Sequence, residues 1–134
     1  MDQDIRSGIW EKPPGRSLRE TTLGVIGLGN VGKEVIRRAK GFGMRTVGYD
    51  IAEIAHDFVT ETGLELVSKE ELLRQSDFVS LNCDLNPSSQ HIIGEPELAQ
   101  MKDSACLINP ARGPLIDEPA LLKALESGQI AGAA

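Results

Sequence analysis

The feature that most constrains the fold is a glycine-rich turn between an apolar run and an amphipathic segment. The turn, GLGNVG at residues 27–32, directly follows the apolar run at 23–26. After it, apolar residues recur at helical spacing while charged residues occupy the opposite face. The predicted buried face consists of Val31, Val35, Ile36 and Ala39. A GxGxxG motif between a strand and a helix is typical of a phosphate-binding crossover, although a purely structural glycine turn is the alternative.

Each residue of this turn has a predicted role. Gly27 permits the tight turn, Gly29 leaves the backbone accessible to a pyrophosphate, and Gly32 lets the helix pack closely on the strand. The free amides at the helix start, around Asn30 and Val31, face the anion, and the helix dipole adds to the attraction.

The rest of the chain alternates short apolar runs with helical periods. Strands are predicted at 23–26, 45–49, 64–67, 78–81 and 106–108, with a sixth beginning within 130–134. Helices are predicted over 54–62, from Ser68 through Leu73, over 95–101, and after Asp117 with Leu121, Leu122 and Leu125 on one face. This alternation indicates an α/β fold, a doubly wound parallel sheet of the Rossmann type, incomplete at its C-terminal edge.

The first twenty residues differ in composition from the rest. Glycine, proline and serine, including Pro13 and Pro14, break any regular period, so residues 1–20 are interpreted as a lead-in segment and 21–134 as a dinucleotide-binding domain. Trp10 is expected to pack against the domain or a partner surface, the alternative being a loosely held tail.

An acidic residue follows the second predicted strand. Asp50 lies 18 residues after Gly32, where a carboxylate hydrogen-bonds the adenine ribose hydroxyls and repels a 2′-phosphate. Ile51, assigned to the same site, begins the segment 51–54, which contains no Arg or Lys. The sequence therefore predicts NAD rather than NADP, although an acid that merely begins a turn remains possible.

The fifth strand ends in the segment NPARG at residues 109–113. Ligands of open parallel sheets bind at the carboxyl ends of the strands, so Arg112 is expected to face the cofactor cleft. A guanidinium there can bind a carboxylate through two hydrogen bonds and polarise the adjacent carbonyl. From spacing alone, a structural ion pair is an equal alternative.

Three stretches together, 22–50, 80–94 and 107–133, resemble the NAD-binding domain of the D-isomer-specific 2-hydroxyacid dehydrogenases. The resemblance extends from about residue 7 to residue 134. It implies part of an oxidoreductase that interconverts a D-2-hydroxy acid and a 2-oxo acid by hydride transfer. Members acting on 3-phosphoglycerate, or on glycerate and hydroxypyruvate, are the nearest in character.

The resemblance also implies a role for individual residues. The backbone of Asn30 and Val31 meets the pyrophosphate, Asp50 the ribose, and Cys83 the adenine and ribose side. Pro110 and Ala111 make backbone contacts near the nicotinamide, and Arg112 is the catalytic arginine that orients the 2-oxo acid. This chain departs from the family at three positions: Asp84 and Asn86 replace a common Pro and Thr, and Pro114 replaces a frequent Gly. Asp84 puts a charge near the adenine end.

The proton donor of this family, a His tuned by a Glu, corresponds to positions after the Gly-Ala-Ala at 132–134. His56 and His91 do not match it and are expected on the surface or in a loop. The substrate domain is likewise expected outside this chain, so the chain is expected to be inactive alone. An exposed sheet edge and the family resemblance together predict a homodimer.

Composition excludes several classes. A net charge of -6 argues against nucleic-acid binding, and no apolar run is long enough for a membrane span. Cys83 and Cys106 are far apart, which predicts neither a metal site nor a disulfide and favours the cytoplasm; Cys106 is expected in the core. Two alternatives remain: an NAD-responsive interaction module of the corepressor type, and a cofactor domain like that of adenosylhomocysteine hydrolase, against which the Ala-Arg-Gly segment argues.

Overall fold

The computed structural model describes residues 5–10 and 15–134, and a parallel sheet of six strands forms the centre of this part of the chain. The strands are β1 (Thr22–Ile26), β2 (Arg45–Tyr49), β3 (Glu65–Leu66), β4 (Phe78–Leu81), β5 (Cys106–Ile108) and β6 (Gly132–Ala133). Their spatial order is β3-β2-β1-β4-β5-β6, and every neighbouring pair is parallel. This order confirms the predicted doubly wound fold and puts its switch point between β1 and β4.

Five α-helices connect the strands in the described part. They are α1 (Asn30–Gly41), α2 (His56–Thr62), α3 (Lys69–Gln75), α4 (Glu95–Leu98) and α5 (Glu118–Glu126). Two of the predicted N-terminal caps are present, since the Ser68 hydroxyl accepts from the Glu71 amide and the Asp117 carboxylate accepts from the Ala120 amide. Such caps satisfy amides that have no partner within the helix.

The core lies on both faces of the sheet because successive side chains of a strand point to opposite sides. On one face, Val25 of β1 packs with Ile36 of α1 and Phe58 of α2. On the other face, Ile26 belongs to a larger cluster with Leu72 and further residues of α3, α4 and α5. The sheet is therefore covered on both sides, as a parallel sheet requires.

Several predicted boundaries are longer than the observed elements. The strand predicted at 64–67 pairs only at Glu65–Leu66, the helix predicted at 95–101 ends at Leu98, and the sixth strand is limited to Gly132–Ala133. The helix predicted from position 54 begins at His56. Propensity locates these elements, whereas their ends depend on hydrogen bonds to neighbouring segments.

Predictions of which apolar residues are buried were wrong at particular positions. Val31 is 62% exposed, and on α5 Leu122 and Leu125 are exposed while Ala124 is buried. Cys106, expected in the core, is half-buried. Helical spacing identifies an apolar stripe but does not show which part of it the sheet covers.

The lead-in segment does not pack as expected at its tryptophan. Trp10 is 86% exposed, so it does not pack against the domain. Residues 1–4 and 11–14, including Pro13 and Pro14, lie outside the described residues. Within the described ranges, no helix combines the length and apolar character needed to cross a membrane.

Asp77 joins three strands at the end of the sheet opposite the cleft. Its amide donates to the Thr22 carbonyl, and its carbonyl accepts from the Cys106 amide. Its side chain, 14% exposed, accepts from the Thr22 amide at 2.8 Å and from Lys102 Nζ at 3.1 Å. Burial raises the pKa of the Asp77 carboxyl, but the Thr22 amide and the Lys102 ammonium outweigh burial and hold that pKa below its usual value.

We expect Asp77→Ala to lower the free energy of unfolding by about 1–2 kcal/mol at neutral pH, because the Thr22 amide loses a charged acceptor. Since the folded-state pKa is lowered, this stabilisation is present above the unfolded-state pKa, near 4, and is lost as pH falls through the folded-state value. Urea denaturation of both proteins between pH 7 and pH 2.5 measures the difference. A difference that stays constant over this range would contradict the assignment.

Candidate functional site

A cleft opens at the carboxyl ends of β1 and β4, and the turn after β1 forms its floor. Gly27 has a φ of +92°, a conformation that favours glycine. A Cβ at this position would lie 2.4 Å from the Cys83 amide nitrogen, which belongs to the segment after β4. The turn can therefore approach the neighbouring strand end only because residue 27 has no side chain.

Gly32 allows α1 to pack directly on this turn. A Cβ at Gly32 would lie 2.0 Å from the Gly27 carbonyl oxygen and 3.4 Å from Val25 Cγ1. The close approach fixes the start of α1 over the end of β1. Its predicted role in helix–strand packing agrees with this geometry.

Gly29 is open where the other two glycines are crowded. A Cβ there would meet no atom of the described chain within 4 Å. Gly29 is the N-cap of α1, no side chain caps the helix, and its first turn contains no acidic residue. The first amides of a helix have no partner within it, so those of Asn30 and Val31 present partial positive charge to the cleft.

Asp50 is held at the end of β2 by two backbone amides. Its Oδ2 accepts from the Leu28 amide at 2.6 Å, and its Oδ1 accepts from the Ala52 amide at 2.8 Å. The bond to Leu28 connects the second strand to the glycine turn. The side chain remains half-buried at the wall of the cleft.

The first of two adjoining cavities in the cleft has a volume of about 550 Å³. Six of the predicted cofactor-binding residues line it together with Cys83: Gly27, Gly29, Asn30, Val31, Asp50 and Ile51. Gly32 does not line it, because it packs behind the turn. Burial raises the pKa of the Cys83 thiol, and the carboxylates of Asp50 and Asp84 raise it further.

The second cavity, of about 500 Å³, lies toward β5. Pro110, Ala111 and Arg112 line it, and it shares Val31, Asn82, Cys83 and Asp84 with the first cavity. The cleft is therefore continuous from the end of β2 to the segment after β5, and it brings together the remaining predicted site residues.

Asn109 fixes the loop that carries Arg112. Its Oδ1 accepts from the Ala111 amide at 3.2 Å, and its Nδ2 donates to the Arg112 carbonyl at 2.8 Å. The guanidinium donates to the Ala111 carbonyl and, within the described part of the chain, forms no ion pair. The structure thus gives no support for the structural ion pair considered above.

The sequence analysis missed Asn82, which lines both cavities. Its Nδ2 donates to Ser80 Oγ, whereas its Oδ1 is buried and has no hydrogen-bond partner among the described residues. Ser88, Ser89 and Ile92 line the first cavity and were likewise missed. Residues that follow a strand bordering the switch point line the cleft, so the position of this segment after β4 was the available signal.

Neither histidine lies in the cavity that Arg112 lines. His56, at the start of α2, borders a separate hollow beside β2 and β3. The His91 amide donates to the Pro114 carbonyl, and the His91 backbone has a φ of +52°. Among the described residues, no group of three or more His, Cys, Asp or Glu is placed to hold a metal ion.

Comparison with known proteins identifies the same cleft-forming region. The profile of the family described as D-isomer specific 2-hydroxyacid dehydrogenase, NAD binding domain, matches residues 1–134. A glyoxylate reductase of Korarchaeum cryptofilum is 45% identical over 98% of this chain, and a D-3-phosphoglycerate dehydrogenase of Methanocaldococcus jannaschii is 44% identical over 97%. The chain spans 41% and 25% of the length of these two relatives.

A solved structure shows the same fold. The NAD-complexed D-isomer specific 2-hydroxyacid dehydrogenase of Lactobacillus delbrueckii ssp. bulgaricus superimposes with a TM-score of 0.89 and 36% identity, covering 98% of this chain and 40% of that one. None of these three proteins is described as a corepressor, so the comparisons give no support to that alternative.

The contrasting surroundings of two glycines lead to a prediction about stability. We expect Gly32→Ala to lower the free energy of unfolding by about 2 kcal/mol or more, because its Cβ would overlap the Gly27 carbonyl. Gly29→Ala is the matched control, since its Cβ enters open space, and it should change stability by less than about 1 kcal/mol. Chemical denaturation followed by circular dichroism compares the two, and equal losses would contradict the packing described.

Proposed function

The chain belongs to the NAD-binding domains of the D-isomer-specific 2-hydroxyacid dehydrogenases, and from this premise we propose its activity and the roles of its residues. It is the cofactor-binding part of an oxidoreductase that moves a hydride between NAD(H) and a small 2-hydroxy or 2-oxo acid. The single observation that carries the proposal is the continuous cleft at the switch point of the sheet, which contains the family's cofactor-binding segments side by side.

The residues of the first cavity fit the adenosine diphosphate half of NAD. The free space beside Gly29 admits a pyrophosphate, and the amides of Asn30 and Val31 donate to it. Asp50, fixed by two backbone amides, accepts hydrogen bonds from the ribose hydroxyls. Ile51, which is 83% exposed, supplies an apolar surface for the adenine ring.

The second cavity fits the nicotinamide half. Pro110 has no amide hydrogen, so it contributes its carbonyl or its ring, and Ala111 contributes its backbone. Asn82 has an unsatisfied buried oxygen at the boundary of the two cavities, where a hydroxyl of the second ribose would supply the missing donor. The bound nicotinamide supplies or accepts the hydride.

Arg112 binds and orients the acid. Its guanidinium is free of any carboxylate partner in the described part of the chain and lines the nicotinamide cavity. Two of its N–H groups can donate to the substrate carboxylate in a planar arrangement, which aims the neighbouring carbonyl carbon at the hydride position. The same positive charge polarises the carbonyl, so that it stabilises negative charge that develops on the oxygen during reduction.

The proposed substrates are 3-phosphoglycerate or the pair glycerate and hydroxypyruvate. Support comes from the matched relatives, of which one is a D-3-phosphoglycerate dehydrogenase and another a glyoxylate reductase. Both classes of substrate carry the carboxylate that Arg112 would bind. The reaction also needs a proton donor, and neither His56 nor His91 lies in the Arg112 cavity.

We further propose a cytoplasmic homodimer that binds neither nucleic acid nor membrane. Exposed apolar side chains at Ile9, Trp10 and Phe42 support a self-association surface. The net charge of -6 and the free thiols of Cys83 and Cys106 support the other assignments. Light scattering at high protein concentration tests the dimer, and a monomer would contradict it.

Isothermal titration calorimetry tests the cofactor assignment. The unaltered chain should bind NADH at least about tenfold more tightly than NADPH, because the Asp50 carboxylate repels the 2′-phosphate. Asp50→Asn should weaken NADH binding and reduce the preference over NADPH about tenfold. Glu53→Gln removes the same charge from a neighbouring residue that lines neither cavity, and it should leave both affinities unchanged. Tighter binding of NADPH by the unaltered chain would refute the assignment.

Turnover by the chain alone tests the proposed division of the active site. We expect trace oxidation of NADH with hydroxypyruvate or 3-phosphohydroxypyruvate, well below about 1 s⁻¹, because no histidine donates a proton beside Arg112. Absorbance at the NADH band measures the rate, and Arg112→Gln serves as the background control. Turnover of about 1 s⁻¹ or more that depends on Arg112 would show that this chain contains a complete active site.

A further inference from the structure

Asp84 stands at the boundary between the two cavities of the cleft. It lines both of them, together with Val31, Asn82 and Cys83. Its backbone carbonyl accepts from the Ser89 hydroxyl, which anchors the loop, whereas its carboxylate has no hydrogen bond or ion pair within the described residues. The negative charge is therefore free to act on whatever occupies the cleft.

The charges around the cleft are unevenly distributed. Asp50 and Asp84 line the first cavity, and no Lys or Arg of the described chain does so. Both carboxylates raise the pKa of the Cys83 thiol, which shows that their potential reaches the floor shared by the two cavities. In the second cavity Arg112 is the cation opposite Asp84. Asp84 is thus the acidic group common to both halves.

We propose that Asp84 sets the preference of the cleft for the redox state of the dinucleotide, favouring NAD⁺ over NADH. The inference rests on the proposed function, which puts the nicotinamide in the second cavity. The two forms share the same phosphates, riboses and adenine, but the oxidised ring carries a positive charge and the reduced ring does not. A carboxylate lining the nicotinamide cavity stabilises only the oxidised ring, whereas its repulsion of the phosphates is common to both forms and cancels in the ratio of affinities.

The expected size of this effect is limited by solvent. Asp84 is exposed, so its interaction with the ring is screened by water and salt. We expect it to change the ratio of NADH and NAD⁺ dissociation constants about threefold at low ionic strength. By linkage, the same factor displaces the equilibrium between the bound cofactor forms toward the oxidised one. Arg112 acts in the opposite sense, so the contribution of Asp84 appears in the change of the ratio on substitution.

The test measures both dissociation constants by calorimetry for the 134-residue chain and three variants. Asp84→Asn should lower the preference for NAD⁺ about threefold, and Asp84→Lys should lower it further in the same direction. Asp103→Asn removes an equal charge from an exposed residue that lines neither cavity, so it should leave the ratio unchanged. In about 1 M salt, where the Debye length is about 3 Å, the difference between the unaltered chain and the Asp84→Asn variant should largely disappear.

The outcomes separate this inference from the proposed function. Binding of both cofactor forms with a ratio that Asp84→Asn and Asp84→Lys leave unchanged would overturn the role of Asp84 and leave the NAD site intact. A folded chain that binds neither form would overturn the proposed function, and this inference with it. Thermal melts of each variant verify folding, which the exposed position of the side chain should preserve.

Discussion

The rest of the structure depends on the absence of side chains where α1 meets β1. Gly32 lies so close to the Gly27 carbonyl that no Cβ fits between them, and Gly27 turns away from β4 with a positive φ. Because the helix begins directly over the strand end, its free amides point into the cleft at the switch point of the sheet. Gly29 then exposes this backbone instead of covering it. A packing constraint between two elements therefore creates the anion site.

Asp50 likewise combines two roles, because the sequence offered two interpretations of it, a ribose ligand or an acid that begins a turn. Its Oδ1 accepts from the Ala52 amide, which is the turn, and its Oδ2 accepts from the Leu28 amide, which ties β2 to the glycine loop. These bonds orient the carboxylate at the cavity wall. The two interpretations are therefore compatible, since the turn prepares the group for a ligand and lowers the entropy that binding must overcome.

The sequence predicts the sheet well because buried parallel strands are short apolar runs, and the bounds at 45–49, 78–81 and 106–108 agree with the structure. It predicts exposure poorly. Val31 fits the apolar period of α1 yet faces the cleft, and Trp10 has no cover within the described domain. Asn82 was missed because nothing local marks it; its role follows only from the order of the strands, which brings the end of β4 beside β1.

Arg112 shows how a charged group can be placed without being neutralised. An ion pair would hold the guanidinium but would also use the charge that a substrate carboxylate needs. Instead, Asn109 closes the loop through both ends of its amide, and the backbone of Ala111 and Arg112 is fixed by neutral hydrogen bonds. The cation keeps its charge at a defined position in the second cavity, where Asp84 is the acid that shares the same wall. Preorganisation by neutral partners is what a binding group in a solvent-accessible cleft requires, because the favourable ion pair then forms only with the ligand.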